Sequence, residues 1–302
     1  MTLEELEQRV KTLLPQTYQD RYEEIEPVSM GSAPLKYGAD GKVAWDEIWQ
    51  SFCDLAMAGG PPHKGKLLEP GTTAEILAQP EQYSKVVAEI CRGIRLVAEL
   101  SAQRAAADGW IRVECETSTK AQWLARAITM ENISARYEED GLELPAAASY
   151  RVEKEIKNVI TSVAKTCHYW EDHMWSSQQK RIGELFARMM QESPFLQPAR
   201  HGWVAVEDIE CEREQVRRCI EARTALRASP HRYFSWIGFD CPDQRAAVWM
   251  MRALVAFNLL SRREGLTLFV PLDPVVDGEG VAVTSAVTAV YELARRRGVI
   301  AV

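Results

Sequence analysis

WIRVECETSTKAQWLARAITMENISARYEEDGLELP, Trp110 to Pro145, governs how the rest of the chain is read, because it recurs as WIGFDCPDQRAAVWMMRALVAFNLLSRREGLTLFVP, Trp236 to Pro271. A single offset of 126 residues holds over 36 positions. Twelve are identical: Trp110/Trp236, Ile111/Ile237, Cys115/Cys241, Ala121/Ala247, Trp123/Trp249, Arg126/Arg252, Ala127/Ala253, Asn132/Asn258, Arg136/Arg262, Glu138/Glu264, Leu142/Leu268 and Pro145/Pro271. Two tryptophans matched at fixed spacing argue against coincidence, and self-similarity of this kind is read as internal duplication.

Each copy opens on an alternating run, Ile111, Val113, Cys115 and Ile237, Phe239, Cys241, which has the period of a half-buried strand. Trp123, Ala127 and Met130 then fall four and three apart, on one face of a helix. GLELP and LTLFVP read as second strands ended by proline, which cannot donate to a ladder. Helices are expected before each copy, over Ser84 to Arg104 and Glu212 to Ala228, and after it, over Tyr150 to Asp172 and Val281 to Arg297. The expected fold is α+β and mainly helical, with duplicated helix-strand-helix-strand-helix units packed about a pseudo-two-fold axis. If both strands of a copy share a sheet, the strand-helix-strand connection favours a parallel crossover. The pattern leaves open whether strands pair within or across copies.

The units divide the chain into an N-terminal helical arm and loop (1–83), a first repeat (84–175), a connecting helix and loop (176–209) and a second repeat (210–302). The arm has a helix over Thr2 to Leu14. The similarity extends upstream if the helix Trp45 to Ala58 and the loop GGPPHKG match the helix Gln178 to Gln191 and the loop SPFLQPARHG.

Bulk properties narrow the function classes. A formal charge of −7 argues against nucleic acid as partner. The run Ala246 to Leu260, interrupted by Arg252 and Asn258, is shorter than the roughly 20 residues that span a bilayer, so no membrane partner is expected. Seven scattered cysteines without a Cys-x-x-Cys pair, and a start that reads as helix instead of a secretory leader, point to the cytoplasm.

Candidate ligand groups start with Arg252, on a helix apolar on every face apart from itself and Asn258, where a guanidinium must meet a carboxylate, carbonyls or an anion, and with its match Arg126. Asp240 and Glu114 are the nearest acids along the chain, and Asn132 and Asn258 complete the matched set. Arg136 and Arg262 read as cations at helix ends, bonding the last carbonyls. Lys154, Asn158, Thr161, Lys165 and His168 form one stripe, which is either a solvated face or a polar wall. In the second case Lys154 and Lys165 hold an anion and His168 moves a proton as the candidate catalytic group. His63 adds a loop imidazole. CHYWEDH at Cys167 to His173 lacks a recognised metal pattern, so no metal ligand is assigned and no cofactor is identified. The first expectation is therefore a small anionic ligand bound, and conceivably transformed, in a cleft between the repeats. A non-enzymatic interaction or assembly protein, with a homo-oligomer as one form, and a metal-dependent enzyme remain open alternatives.

Overall fold

The alternating run at Trp110 does form a strand, β2 (Trp110–Val113), but it has two neighbours of its own and no parallel partner beside it. The computed structural model describes residues 1–20, 34–47, 65–139 and 141–301. The chain divides into unit 1, Met1–Glu24 with Ser176–Val302, and unit 2, Ile25–Trp175. About half of it is helical.

In unit 2, α4 (Pro80–Ala98) leads into β1 (Ala102–Arg104), β2, α5 (Ser118–Thr129), β3 (Arg136–Glu138), β4 (Gly141–Pro145) and α6 (Lys157–Asp172). The sheet order is β1-β2-β4-β3, antiparallel throughout. The expected parallel crossover is corrected by this order. β2 and β3 run parallel, but β4 turns back and enters between them, so the helix connection spans a split pair. Two strands of each set were hidden in the sequence. Residues 102–104 and 227–228 were absorbed into the ends of helices, and 136–138 and 262–264 are three-residue runs too short to carry a period.

Unit 1 repeats the order as α8 (Val206–Arg223), β5 (Arg227–Ala228), β6 (Trp236–Asp240), α9 (Gln244–Val255), β7 (Arg262–Glu264), β8 (Thr267–Pro271) and α10 (Val281–Arg297), with sheet order β5-β6-β8-β7. Register matches at the 126-residue offset: Trp110 faces Pro145 as Trp236 faces Pro271, and Arg136 faces Glu143 as Arg262 faces Phe269. β4 and β8 are buried at all five positions, so these central strands are covered on both faces. Unit 1 also holds α1 (Leu3–Leu13), α2 (Gln16–Gln19) and α7 (Ser176–Glu192), and unit 2 holds α3 (Thr73–Ala78). A reciprocal capping box fixes the start of α1: Glu5 N–H donates to the Thr2 hydroxyl at 3.1 Å and Thr2 N–H to the Glu5 carboxylate at 2.7 Å. Leu6, Val10 and Leu13 then turn its apolar stripe against α7 and α9.

The central helices are built alike. Thr117 caps α5 through the Lys120 N–H and Asp243 caps α9 through the Ala246 N–H. Beyond the far ends stand Asn132 (φ 60°) and Asn258 (φ 65°), in the left-handed region that asparagine tolerates best among residues with a side chain. Each side-chain amide donates to a carbonyl of an upstream loop, Asn132 to Gly65 at 3.3 Å and Asn258 to Ser193 at 2.9 Å. The same loops pair with the chain after each asparagine: Leu68 N–H donates to Asn132 O and Leu196 N–H to Asn258 O, at 2.8 and 3.0 Å. The upstream correspondence is therefore GKLLEPG (65–71) with SPFLQPA (193–199) at an offset of 128, aligned on leucine and proline and not on the histidines. The helix expected at Trp45 to Ala58 lies mostly outside the described residues. Replacing Asn258 by Ala is expected to cost about 1–3 kcal/mol in urea unfolding, from left-handed strain plus a lost bond to Ser193. Asn258→Gly should recover the strain part; equal losses for both would remove backbone strain as the cause.

α6 is buried over most of its length. It packs on α4 and α5, and a Cβ at Gly93 would lie 2.2 Å from Ile160 Cδ1, so the glycine is what lets α4 approach. The helix expected from Tyr150 begins at Lys157, preceded by a wider π-helical turn over Val152–Ile156. Among the described residues no helix is long and apolar enough to cross a membrane.

Candidate functional site

The polar stripe of α6 is neither a solvated face nor one continuous wall. Lys154 stands in the π-helical turn, 66 % exposed, with Nζ 3.8 Å from Glu155. Asn158 is half-buried. Thr161 is buried and donates to the Lys157 carbonyl at 2.7 Å. Lys165 is 2 % exposed and forms an ion pair with Glu131, which also accepts from Ser162 at 2.9 Å. The stripe thus enters the core at its middle.

It re-emerges at His168, 21 % exposed near the C-terminal end of α6. His168 Nδ1 lies 2.6 Å from the Asp172 carboxylate, and its Nε2 lies 3.2 Å from Nε2 of His173. The rings stand nearly perpendicular, with centroids 4.9 Å apart. Asp172 and His168 meet because they are four apart on one helix face. His173, five along, joins because the helix stops there, its own N–H still bonded to the Tyr169 carbonyl. Burial and the neighbouring His168 hold His173 below the ordinary imidazole range, with Asp172 opposing. Beside this group, Lys120 is 3 % exposed and clamped by Glu116 at 2.8 Å and Glu171 at 2.7 Å. Burial works against its charge, but the two carboxylates outweigh it and raise its pKa.

The matched residues lie elsewhere. Arg126 is buried, donates to the Gln122 carbonyl at 3.0 Å, and is pushed down to about 9 by burial, with Tyr137 opposing. Arg252 is half-buried and lowered to about 10 by burial and by Arg263, with Tyr18 opposing. Asp240, its expected partner, instead accepts from the Thr267 hydroxyl at 2.6 Å. The reading of Arg136 and Arg262 as helix-end cations is corrected: both are strand residues, buried, and paired along the strand with Glu138 at 3.5 Å and Glu264 at 2.6 Å. Asn132 and Asn258 are occupied by the loop carbonyls described above. Asn258 also lines a cleft of about 230 Å³ in unit 1 with Met1, Arg9, Met189, Glu192, Ser193 and Phe257, in which Arg9 is held by both oxygens of Glu192. His63 lies outside the described residues. Burial raises Cys115 to about 11 and Cys241 to about 12, as fits unreactive thiols.

Unit 1 also holds a buried acid that the sequence did not mark. Glu212 on α8 is 1 % exposed, and its carboxyl is pushed up to about 8 by burial and by Asp277, with Arg213 opposing. Asp277 accepts from Ala282 and Val283 N–H at 3.0 and 2.9 Å, at the start of α10. A folded value above the unfolded one, 4.5, means that the native state binds the extra proton. This stabilisation is complete below pH 4.5 and is lost as pH rises through about 8. Wild-type thermal stability should therefore fall between pH 5 and 9 by about 2–4 kcal/mol more than that of Glu212→Gln. Parallel pH profiles would show that Glu212 is ionised in the native state throughout.

Comparison of the chain with protein-family models, curated proteins and solved structures finds no match.

Proposed function

We propose that the protein binds a small ligand at the C-terminal end of α6 in unit 2, with His168 as the contacting group. The observation that carries this is the fixing of one imidazole, 21 % exposed, from both sides, by Asp172 at 2.6 Å and His173 at 3.2 Å. Solvated surface side chains are seldom held so tightly, and ordering one costs conformational entropy that a binding site recovers. The local charge changes the kind of ligand expected. A helix C-terminus and the 63 % exposed Asp172 favour a cation or a hydrogen-bond donor. An anion loses support, because Arg126 and Lys165, two of its four expected cationic holders, are engaged inside their unit.

Native mass spectrometry of freshly purified protein tests the reading. A retained adduct in the wild type that is absent from His168→Asn is the expected result, and an adduct that survives the substitution would sink it. A second reading, an interaction protein, draws support from Trp203, 66 % exposed with the Arg200 guanidinium 4.3 Å over its ring, a pairing typical of interface hot spots. An apo mass with a discrete oligomer that Trp203→Ala dissolves would favour it.

We also infer that the two sheets arose by duplication. Their common strand order, equal register and twelve shared residues support this, as do the two loops tied to matched asparagines. Divergence then left the histidine site on one side only: His168 and His173 correspond to Ala294 and Val299.

A further inference from the structure

We propose that the ligand at the end of α6 is a divalent transition-metal ion, held by Nε2 of His168 and Nε2 of His173; this deepens the reading of the site given above and rests on it. Metal–imidazole bonds are about 2.0–2.1 Å long, so two nitrogens 3.2 Å apart subtend about 100° at a shared ion. That lies between the octahedral and tetrahedral angles. Asp172 supplies the outer contact such sites need. It accepts a hydrogen bond from His168 Nδ1 at 2.6 Å, which leaves the lone pair on Nε2 for the ion, and a carboxylate behind the imidazole raises its basicity as a ligand.

Both rings also lean on the buried Tyr169 ring, with centroids 6.3 and 5.6 Å away, which holds the pair in place from behind. Without an ion the contact is a hydrogen bond, in which one Nε2–H donates to the Nε2 lone pair of the other ring. A single ion satisfies both lone pairs at once. The donor set is imidazole nitrogen, which selects zinc, nickel or copper over magnesium or calcium. Among the described residues no group of three or more histidine, cysteine or acidic side chains gathers around an ion. The protein therefore supplies two ligands, and water or a second molecule supplies the others. The second half of the chain provides an internal contrast, since Ala294 and Val299 at the corresponding positions have no donor.

Calorimetric titration of the metal-stripped full chain with zinc chloride tests this, with cobalt(II) absorption as an independent readout. One equivalent should bind, with at least a tenfold loss of affinity in both His168→Asn and His173→Gln. Asp172→Ala, which keeps both ligands and removes only the outer contact, should weaken binding about 10–100-fold. Circular dichroism of the three variants should match the wild type. Zinc bound with equal affinity by wild type and both histidine variants, or not bound at all, would overturn the proposal. A metal-free adduct that depends on His168 would overturn it too, while leaving the broader ligand reading intact.

Discussion

Glu131→Ala is expected to destabilise the protein by about 3–5 kcal/mol, a larger effect than the removal of most single core methyl groups. Glu131 is 3 % exposed and Lys165 is 2 % exposed, and the two form an ion pair that a third buried side chain, Ser162, completes at 2.9 Å. Removing the carboxylate leaves an ammonium in a place water does not reach, and either keeping its charge or shedding its proton costs free energy. Lys165→Met should cost less, because Glu131 keeps the Ser162 hydroxyl. The double variant Glu131→Leu/Lys165→Met should recover most of the loss, since replacing a buried pair by apolar residues of similar volume is often neutral or stabilising. The chain contains its own version of that experiment. At the 126-residue offset the positions are Phe257 and Tyr291, in a unit with the same strand order. Urea unfolding of the three variants decides it. A double variant as unstable as Glu131→Ala would mean that the carboxylate acts through contacts other than the pair.

That pair also marks where the sequence stops being legible. Helical spacing puts Lys165 and His168 on one stripe, but spacing gives direction around an axis and not depth. α6 is buried nearly all round because α4 and α5 both pack on it, so the middle of a polar stripe could enter the core only with an acid supplied by another segment, the turn at Glu131. The matched tryptophans and prolines fixed the offset that the sheets obey. The strands β1, β3, β5 and β7 escaped because runs of two or three residues have no period. Asn132 and Asn258 recurred for a reason no pattern of polarity displays, a positive φ that ends one element and ties down another. His173 was visible as a letter five places after His168, yet only the helix stop at Asp172 brings its ring round to its neighbour.

Arg262→Ala is expected to cost about 3–5 kcal/mol, and the pattern among substitutions at this position is more informative than the size. The side chain is wholly buried, with its guanidinium 4.0 Å from the ring centre of Phe269, 4.4 Å from Tyr233 and 5.0 Å from Trp236. One carboxylate oxygen of Glu264 accepts from Arg262 at 2.6 Å and from the Tyr233 hydroxyl at 2.5 Å, so charge and aromatic faces are locked into one arrangement. A desolvated cation over aromatic faces gains about 2 kcal/mol, and arginine presents a planar, weakly hydrated group where lysine presents a compact, strongly hydrated one. Arg262→Lys should therefore remain destabilised by at least about 1–2 kcal/mol despite keeping the charge. Arg262→Met/Glu264→Gln, which keeps volume and leaves no lone acid, should approach wild type. The matched Arg136 faces Glu143 across its strand pair where Arg262 faces Phe269, and Ala107 stands in place of Tyr233. Arg136→Lys should accordingly be milder than Arg262→Lys. Equal losses at the two positions would show that the rings around Arg262 contribute packing alone, and that charge pairing along the strand sets the cost in both units.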